Sequence, residues 1–443
     1  MTHKFHRLFK FLDWKLDVKK HQLLMNYEIE NIGKVTEILS FPAFIAADNL
    51  NLKSSINAAC DLIHFMCGVS YYKVGLASEI QFKNNFPSQQ METFIKKTWL
   101  NGLAELAFDN NVSIKNQINF NTRINDAQFQ FRALTENNSP MLLSSQASLK
   151  SLVALGGGKD SLVTIEELKQ QGKNISLFMV GESALIKDVA NYIGMPLIQV
   201  KRKIDAKLIE YNKTGKGFNG HVPITAINSC IAILTALLFD CDEVVFSNER
   251  SAESANTINA EGDFVNHQYS KSLEFEQDFS NILAQEIAQS VHYYSQQRAF
   301  SELAILKKFC NYPQYFSVFS SCNRNFHIDG SKNENTKWCC DCPKCRFVFL
   351  GLAPFLTKQQ LLEIFKHNML DDKVQGQGFA ELLGLSGFKP FECVGEIEES
   401  QLAFNLIKDN DHWQEDVLIK KFKDLCPPTS DEQQQHIMQT CLP

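Results

Sequence analysis

The sequence predicts an α/β protein built on a parallel sheet, and three observations predict it. From Leu152 onward, short apolar runs alternate with helical patterns, as strands joined by crossover helices require. The first of those runs stops at three consecutive glycines that open a helix. On either side the pattern differs: strand patterns precede helical ones before residue 146, and helical patterns surround a dense group of cysteines beyond residue 300. The expected organisation is an N-terminal α+β unit over 1–145, a parallel-sheet domain over 146–300, and a helical, cysteine-rich region over 301–443.

The elements follow in order. Leu23–Ile29 and Val35–Leu39 read as strands on either side of Asn31-Ile32-Gly33, a hairpin-like turn. Ile56–Met66 and Met91–Phe108 place apolar residues three and four apart, as amphipathic helices do. Leu152–Leu155 is a buried-strand candidate, and a helix is expected over Ser161–Gln171. Ile175–Val180, Met195–Val200 and Val244–Phe246 are further strands, separated by helices at Ala184–Ile193 and Ile224–Phe239. No internal repeat or low-complexity segment interrupts the series.

The net charge of −6 supplies no basic field for polyanions, so a general nucleic-acid or membrane surface is not expected. A local cluster such as Lys201-Arg202-Lys203 would suit a small acidic substrate, or be a solvated face. The 13 cysteines are an odd number, mostly scattered singly, unlike a secreted disulfide framework. Lys4, Arg7, Lys10, Asp13 and Lys15 break up the first twenty residues, so no signal peptide is read there. No apolar run reaches the roughly 18 residues of a membrane span. A cytoplasmic location is expected; the oligomeric state is not legible.

The central motif is Gly156-Gly157-Gly158-Lys159-Asp160-Ser161 after Leu155. Glycines let the backbone approach a phosphate and adopt positive φ, and the first helical turn then presents N–H groups and a favourable dipole to the anion. Lys159 would add a mobile cation, Asp160 would hold magnesium, and Ser161 would donate a hydrogen bond or cap the helix. A Walker A loop requires Ser or Thr directly after the lysine, and the dinucleotide fingerprint requires a third glycine at its own spacing; both fail. The loop resembles the Ser-Gly-Gly-x-Asp-Ser loop of PP-loop ATP pyrophosphatases, with Gly156 in place of the usual serine. That resemblance implies an adenine nucleotide alpha hydrolase-like parallel-sheet domain, with Gly156, Gly157, Gly158, Lys159, Asp160 and Ser161 binding ATP.

Residues 338–346 read Trp-Cys-Cys-Asp-Cys-Pro-Lys-Cys-Arg. Cys339, Cys342 and Cys345 form a C-x2-C-x2-C series, and Cys322 lies upstream. Four thiolates around tetrahedral zinc are the natural reading, and a closed four-sulfur site would be structural. An iron–sulfur cluster or redox thiols remain alternatives, as does Cys340 in place of Cys339. A glycine loop followed by Ser-Cys and this series also looks like the layout of cyano-deazaguanine synthases.

A second resemblance spans nearly the whole chain. It combines Gly68-Val69-Ser70-Tyr71-Tyr72-Lys73, the glycine loop, Asn219-Gly220-His221-Val222-Pro223, Ser247-Asn248-Glu249-Arg250-Ser251, Asn266–Ser272, the cysteines and Lys389-Pro390-Phe391-Glu392-Cys393-Val394-Gly395. This set is similar to the UDP-N-acetyl-muramoyl-L-alanyl-L-glutamate epimerase family of bacterial peptidoglycan-precursor enzymes. The resemblance implies ATP and magnesium as co-reactants, release of AMP and diphosphate, and conversion of a terminal L-glutamate to D-glutamate on a UDP-muramoyl dipeptide.

Lys159 and Asp160 are the leading candidates for adenylation. Glu249 and Arg250 follow a buried strand at the same expected sheet edge, where Glu249 would hold magnesium and Arg250 a phosphate or carboxylate; an ordinary surface ion pair is the alternative. Asn248 is grouped with them at the nucleotide. His221 and His267 are proton-transfer candidates, because imidazole titrates near neutral pH, or else helix-start or core histidines. Lys271 would neutralise a substrate carboxylate or act as a base, unless simply solvated. Tyr71, Tyr72 and Lys73 are candidates to line a pocket, with aromatic packing in the core the favoured alternative. Other adenylating enzymes of the PP-loop class, or a zinc-braced ATP-binding module, are the competing readings.

Overall fold

The computed structural model describes residues 5–44, 50–120, 149–259, 261–326, 337–387 and 389–439. One nine-stranded mixed sheet organises them. Its strands are β1 (Leu8–Asp17), β2 (Gln22–Ile29), β3 (Gly33–Ser40), β4 (Glu79–Phe82), β5 (Lys150–Ala154), β6 (Asn174–Val180), β7 (Leu197–Lys203), β8 (Glu243–Phe246) and, after the separate small hairpin β9 (Thr257–Ile258) and β10 (Phe264–Val265), β11 (His292–Ser295). The order across the sheet is β11-β8-β5-β6-β7-β3-β2-β1-β4. The five strands from β11 to β7 are parallel. The meander β1–β3 is antiparallel and joins them where Ile38–Ser40 pair with Lys201–Lys203.

The expected hairpin is present, and its turn uses positive φ at Asn31 (67°) and Gly33 (87°). The helix expected over 91–108 is two helices, Gln89–Gly102 and Ala104–Asp109, broken at Leu103, whose N–H bonds back to the Trp99 carbonyl. The expected helix 184–193 is observed as such. Strand β1 carries no expectation above. It buries Phe9 and Phe11 while Lys10 and Lys15 lie on the partly exposed face, but a register shift between Phe11 and Trp14 breaks the alternation that would reveal it.

Helices cover both faces. One face packs against Leu50–Cys67, Ile224–Leu238 and Leu273–Ile282, in a core that includes Tyr27, Tyr71, Tyr72 and Trp99. The other packs against Lys159–Gln170 and Ala184–Ile193, and over these lie Glu302–Phe309, Pro343–Leu352 and Ile397–Ile407. The Lys201-Arg202-Lys203 trio divides by alternation. Lys201 pairs with Glu182 in solvent, whereas Arg202 is buried against Glu37 at 2.7 Å and donates to Ser70 at 2.9 Å.

Within the parallel half the chain builds β5, β6 and β7 outward in one direction, then returns to add β8 and β11 on the other side. The winding reverses between β5 and β8. Open α/β sheets bind ligands outside the C-terminal ends of strands at such a reversal, and the glycine loop and Ser247–Arg250 follow those two ends.

Candidate functional site

The three glycines have different physical roles. Gly157 has φ +77°, a left-handed conformation costly for other residues. Gly158 caps the helix Lys159–Gln170 without a side chain, and a Cβ there would lie 2.7 Å from Ser321 Oγ. A Cβ on Gly156 meets nothing within 4 Å. Gly156→Ser is therefore expected to keep melting temperature and turnover near wild type. Gly157→Ala should lose roughly 1–2 kcal/mol from backbone strain, and Gly158→Ala should displace Ser321 and reduce turnover. Denaturant melts and substrate turnover check the series.

Lys159 is not the mobile cation expected from the sequence. It is fully buried and held between the carboxylates of Asp160 and Glu302. Glu302 begins the helix Glu302–Phe309, which Ser301 caps, and its N–H donates to Ser251 Oγ at 3.1 Å. The other Glu302 oxygen lies 3.2 Å from Lys344 Nζ. Burial alone would raise the Glu302 pKa, but Lys159 and then Lys344 outweigh it and hold the carboxyl near 2. Glu249 sits at the end of β8 in the same electrostatic neighbourhood as Lys271, Glu302, Asp160 and Lys344, and burial raises its pKa. Its Oε1 has no hydrogen-bond partner although the residue is 2% exposed. Lys389 Nζ and Ser321 Oγ are likewise buried and unpartnered. Buried polar atoms are normally satisfied, so three orphans around one charged cluster mark a ligand position. Glu302 is taken up by Lys159 and Lys344, which leaves the unpartnered Glu249 oxygen and Asp160 as the carboxylates facing a ligand there, and the lysines suit phosphate or carboxylate.

The remaining candidates take separate positions. Ser161 Oγ donates to the Gly158 carbonyl at 3.1 Å. Asn248 donates to Ser295 Oγ on β11 at 3.0 Å, tying two strand ends together. Arg250 reaches the helix Asp431–Met438 and donates to the His436 carbonyl at 2.8 Å.

His221 and His267 are brought together, with ring centroids 4.3 Å apart, and both face Glu105. Burial, with His267 next, lowers the His221 pKa to about 4. Burial would lower His267 too, but hydrogen bonds to Cys393 and Glu105 raise it to about 9. Lys73 pins the preceding turn by donating to the Gly220 carbonyl at 2.8 Å and Asn219 Oδ1 at 3.2 Å. Lys271 links this group to the first: burial opposes its charge, but Cys393 and Glu249 keep its pKa above the usual lysine range.

Cys322, Cys339, Cys342 and Cys345 place their sulfurs within 4.8 Å of one another and could hold a metal ion. Cys342 and Cys345 are 3.5 Å apart, and Cys339 and Cys345 3.7 Å. Zinc–sulfur bonds of about 2.3 Å give a tetrahedral edge of about 3.8 Å, so the spacing fits. The Asp341 and Cys345 N–H groups point at sulfur, each at 3.4 Å. Cys340 turns away, with positive φ and its thiol donating to the Phe365 carbonyl. This knuckle abuts the glycine loop, because Ser320 N donates to the Gly157 carbonyl at 3.1 Å.

Sequence reasoning passed over Glu302, Lys344, Glu105, Lys389 and Cys393. Lys344 stood inside the cysteine series, and Lys389 and Cys393 inside a quoted motif; Glu302 and Glu105 carried no local signal.

Among the described residues, no helix is long and apolar enough to cross a membrane. The MurL N-terminal domain family matches residues 1–296 and the MurL C-terminal domain family matches 318–437. A protein of Xanthomonas oryzae pv. oryzae named UDP-N-acetyl-alpha-D-muramoyl-L-alanyl-L-glutamate epimerase is 37% identical over 95% of this chain and 90% of its own length. Proteins of the same name from Micromonospora sp. and Salinispora tropica are 33% and 32% identical over 95% of the chain, and over 91% and 89% of their own lengths. The chain belongs to the MurL family of UDP-N-acetyl-alpha-D-muramoyl-L-alanyl-L-glutamate epimerases.

Proposed function

We propose that this protein converts the terminal L-glutamate of UDP-N-acetylmuramoyl-L-alanyl-L-glutamate to D-glutamate in the cytoplasm, consuming ATP and releasing AMP and diphosphate. The observation that carries the ATP reading is the buried Lys159–Asp160–Glu302 group, with the unpartnered Glu249 beside it, at the sheet's winding reversal. Family membership supports the substrate.

The chemistry explains why an epimerase would carry such a site. Loss of the α-proton beside a free carboxylate would place two negative charges on one group. A carboxylate oxygen that displaces diphosphate at the α-phosphorus of ATP becomes an acyl-adenylate, which removes that charge and opens an electron sink. Each 1.36 kcal/mol removed from the barrier is worth about tenfold in rate. Proton removal and return at the α-carbon, then hydrolysis, complete the cycle. Asp160 and Glu249 would hold magnesium, which neutralises phosphate charge. Lys159, fixed by Glu302, and the N–H groups after Gly158 would face the phosphates. The four-cysteine knuckle would hold a structural zinc.

Incubation with ATP, magnesium and the UDP-muramoyl dipeptide in heavy water should yield AMP, diphosphate and D-glutamate deuterated at its α-carbon. Asp160→Ala should lower AMP release at least about a hundredfold, the lower end of the loss for a transition-state electrostatic group. AMP without α-deuterium would point to another adenylating reaction, and no AMP would overturn the ATP reading.

A further inference from the structure

Cys393 stands apart from the other cysteines outside the knuckle. Burial pushes up the thiols of Cys60, Cys67, Cys230, Cys241, Cys310 and Cys426, as it does in apolar surroundings. Cys393 is also desolvated, but Lys271, a hydrogen bond from His267, and Lys344 override burial and lower its pKa to about 5. It remains partly exposed. The groups around it are named by its three neighbouring segments: His267 and Lys271 from the stretch after β10, Lys344 from the knuckle helix, and Glu392 beside it.

The geometry has the logic of an activated nucleophile or base. His267 Nδ1 contacts the Glu105 carboxylate, and the same histidine is hydrogen-bonded to the Cys393 sulfur. A base partner held by a third group is the recurring arrangement around a reactive thiolate. Cys393 also lies next to the nucleotide cluster. Lys344 Nζ donates to the Cys393 carbonyl and, at 3.2 Å, to Glu302, which holds Lys159. Lys271 is influenced by both the Cys393 sulfur and Glu249. Glu249, whose Oε1 is unpartnered, acts on Lys271 as the Cys393 sulfur does, so the ligand position of the charge cluster adjoins Cys393.

We infer that the Cys393 sulfur, oriented by His267 and Glu105, is the group that takes or returns the α-proton of the activated glutamyl residue on one face. In the forward direction the thiolate forms an S–H bond as the α-C–H bond breaks, and that bond's electron pair moves into the enolate of the activated acyl group. The enolate then takes a proton, ultimately from water, on its opposite face through a second acid. The thiol returns its proton to solvent, and the thiolate–imidazolium pair is restored. His267 and Glu105 act through the sulfur and are positioning residues. The inference rests on the proposed epimerase reading.

The test separates the two. Wild-type AMP release and α-deuteration establish the reaction first; if either is missing, the epimerase reading fails before Cys393 is at issue. Given both, Cys393→Ala and Cys393→Ser should lose α-deuterium incorporation by at least about a thousandfold, with a much smaller loss of dipeptide-dependent AMP release. Retained α-deuteration in a folded variant overturns the inference. Iodoacetamide should alkylate wild-type Cys393 with a half-maximal rate near pH 5, the UDP-muramoyl dipeptide should protect it, and His267→Asn should move that midpoint upward. An unshifted midpoint, or an ordinary thiol midpoint in the wild type, overturns the role of the triad. Glu105, His221 and His267 also lie close enough to hold a cation. A second bound metal that disappears in His267→Ala would replace the hydrogen-bonded triad with a metal centre and likewise overturn it.

Discussion

Glu302→Ala is expected to abolish ATP turnover and to cost about 3–5 kcal/mol of stability, the range for removing one member of a buried ion pair. Glu302 is the counter-ion of two buried lysines, Lys159 from the glycine loop and Lys344 from the knuckle helix. Without it their ammonium groups lose their shared counter-ion, and Lys159 loses the contact that fixes it under the loop. The pH dependence has a definite sign. The folded carboxyl is held down to about 2, below the ordinary 4.5 of a glutamate, so its contribution is complete above about pH 4.5 and is lost as pH falls through about 2. Denaturant melts from pH 3 to 7 should show a constant gap between wild type and variant near neutrality that narrows below about pH 4. A variant with wild-type stability and turnover would refute the counter-ion role.

The second large effect concerns the cysteine knuckle. Cys345→Ser, or exhaustive chelation, should melt the C-terminal helical region and eliminate ATP turnover together. Metal binding by a site of this kind contributes on the order of 10 kcal/mol or more to folding, comparable to the roughly 5–15 kcal/mol that holds a whole domain together. Cys342 caps the helix Pro343–Leu352, and that helix presents Lys344 to Glu302. Ser320 and Ser321, just before Cys322, meet Gly157 and Gly158. Loss of metal therefore removes both a wall of the glycine loop and a cation of the charge cluster. One metal per chain that leaves with activity, and restored activity on adding zinc, is the expected record. Full turnover by metal-free protein would exclude the coupling.

What could be read from the sequence is what is local in it. The glycine loop carries its meaning in six adjacent residues, and the knuckle in nine residues plus Cys322. The alternation that gave β5 to β8 is local too. Glu302 and Glu105 differ in kind, since an acid at the start of a helix or on its partly buried face is ordinary until the chain fold brings Lys159 or His267 against it. Lys344 was hidden by its neighbours: between Cys342 and Cys345 it reads as part of the knuckle, while its side chain serves the opposite cluster. His221 and His267 were named singly, and only the fold shows that Glu105 holds them as a pair. Lys73, read from the sequence as a pocket-lining candidate, braces the turn before His221.

The pairing of β3 with β7 bears on how this protein came to be one inheritable piece. Three backbone-paired residues, Ile38–Ser40 with Lys201–Lys203, make the N-terminal meander the cover for a strand whose edge would otherwise stand open. An open edge invites another chain to add itself. A fragment beginning near residue 146 would carry that bare edge and lose the partners of Arg202, whose guanidinium depends on Glu37 and Ser70. The sheet thus behaves as an indivisible block, and the MurL N-terminal match, running unbroken from residue 1 to 296, spans every strand of it.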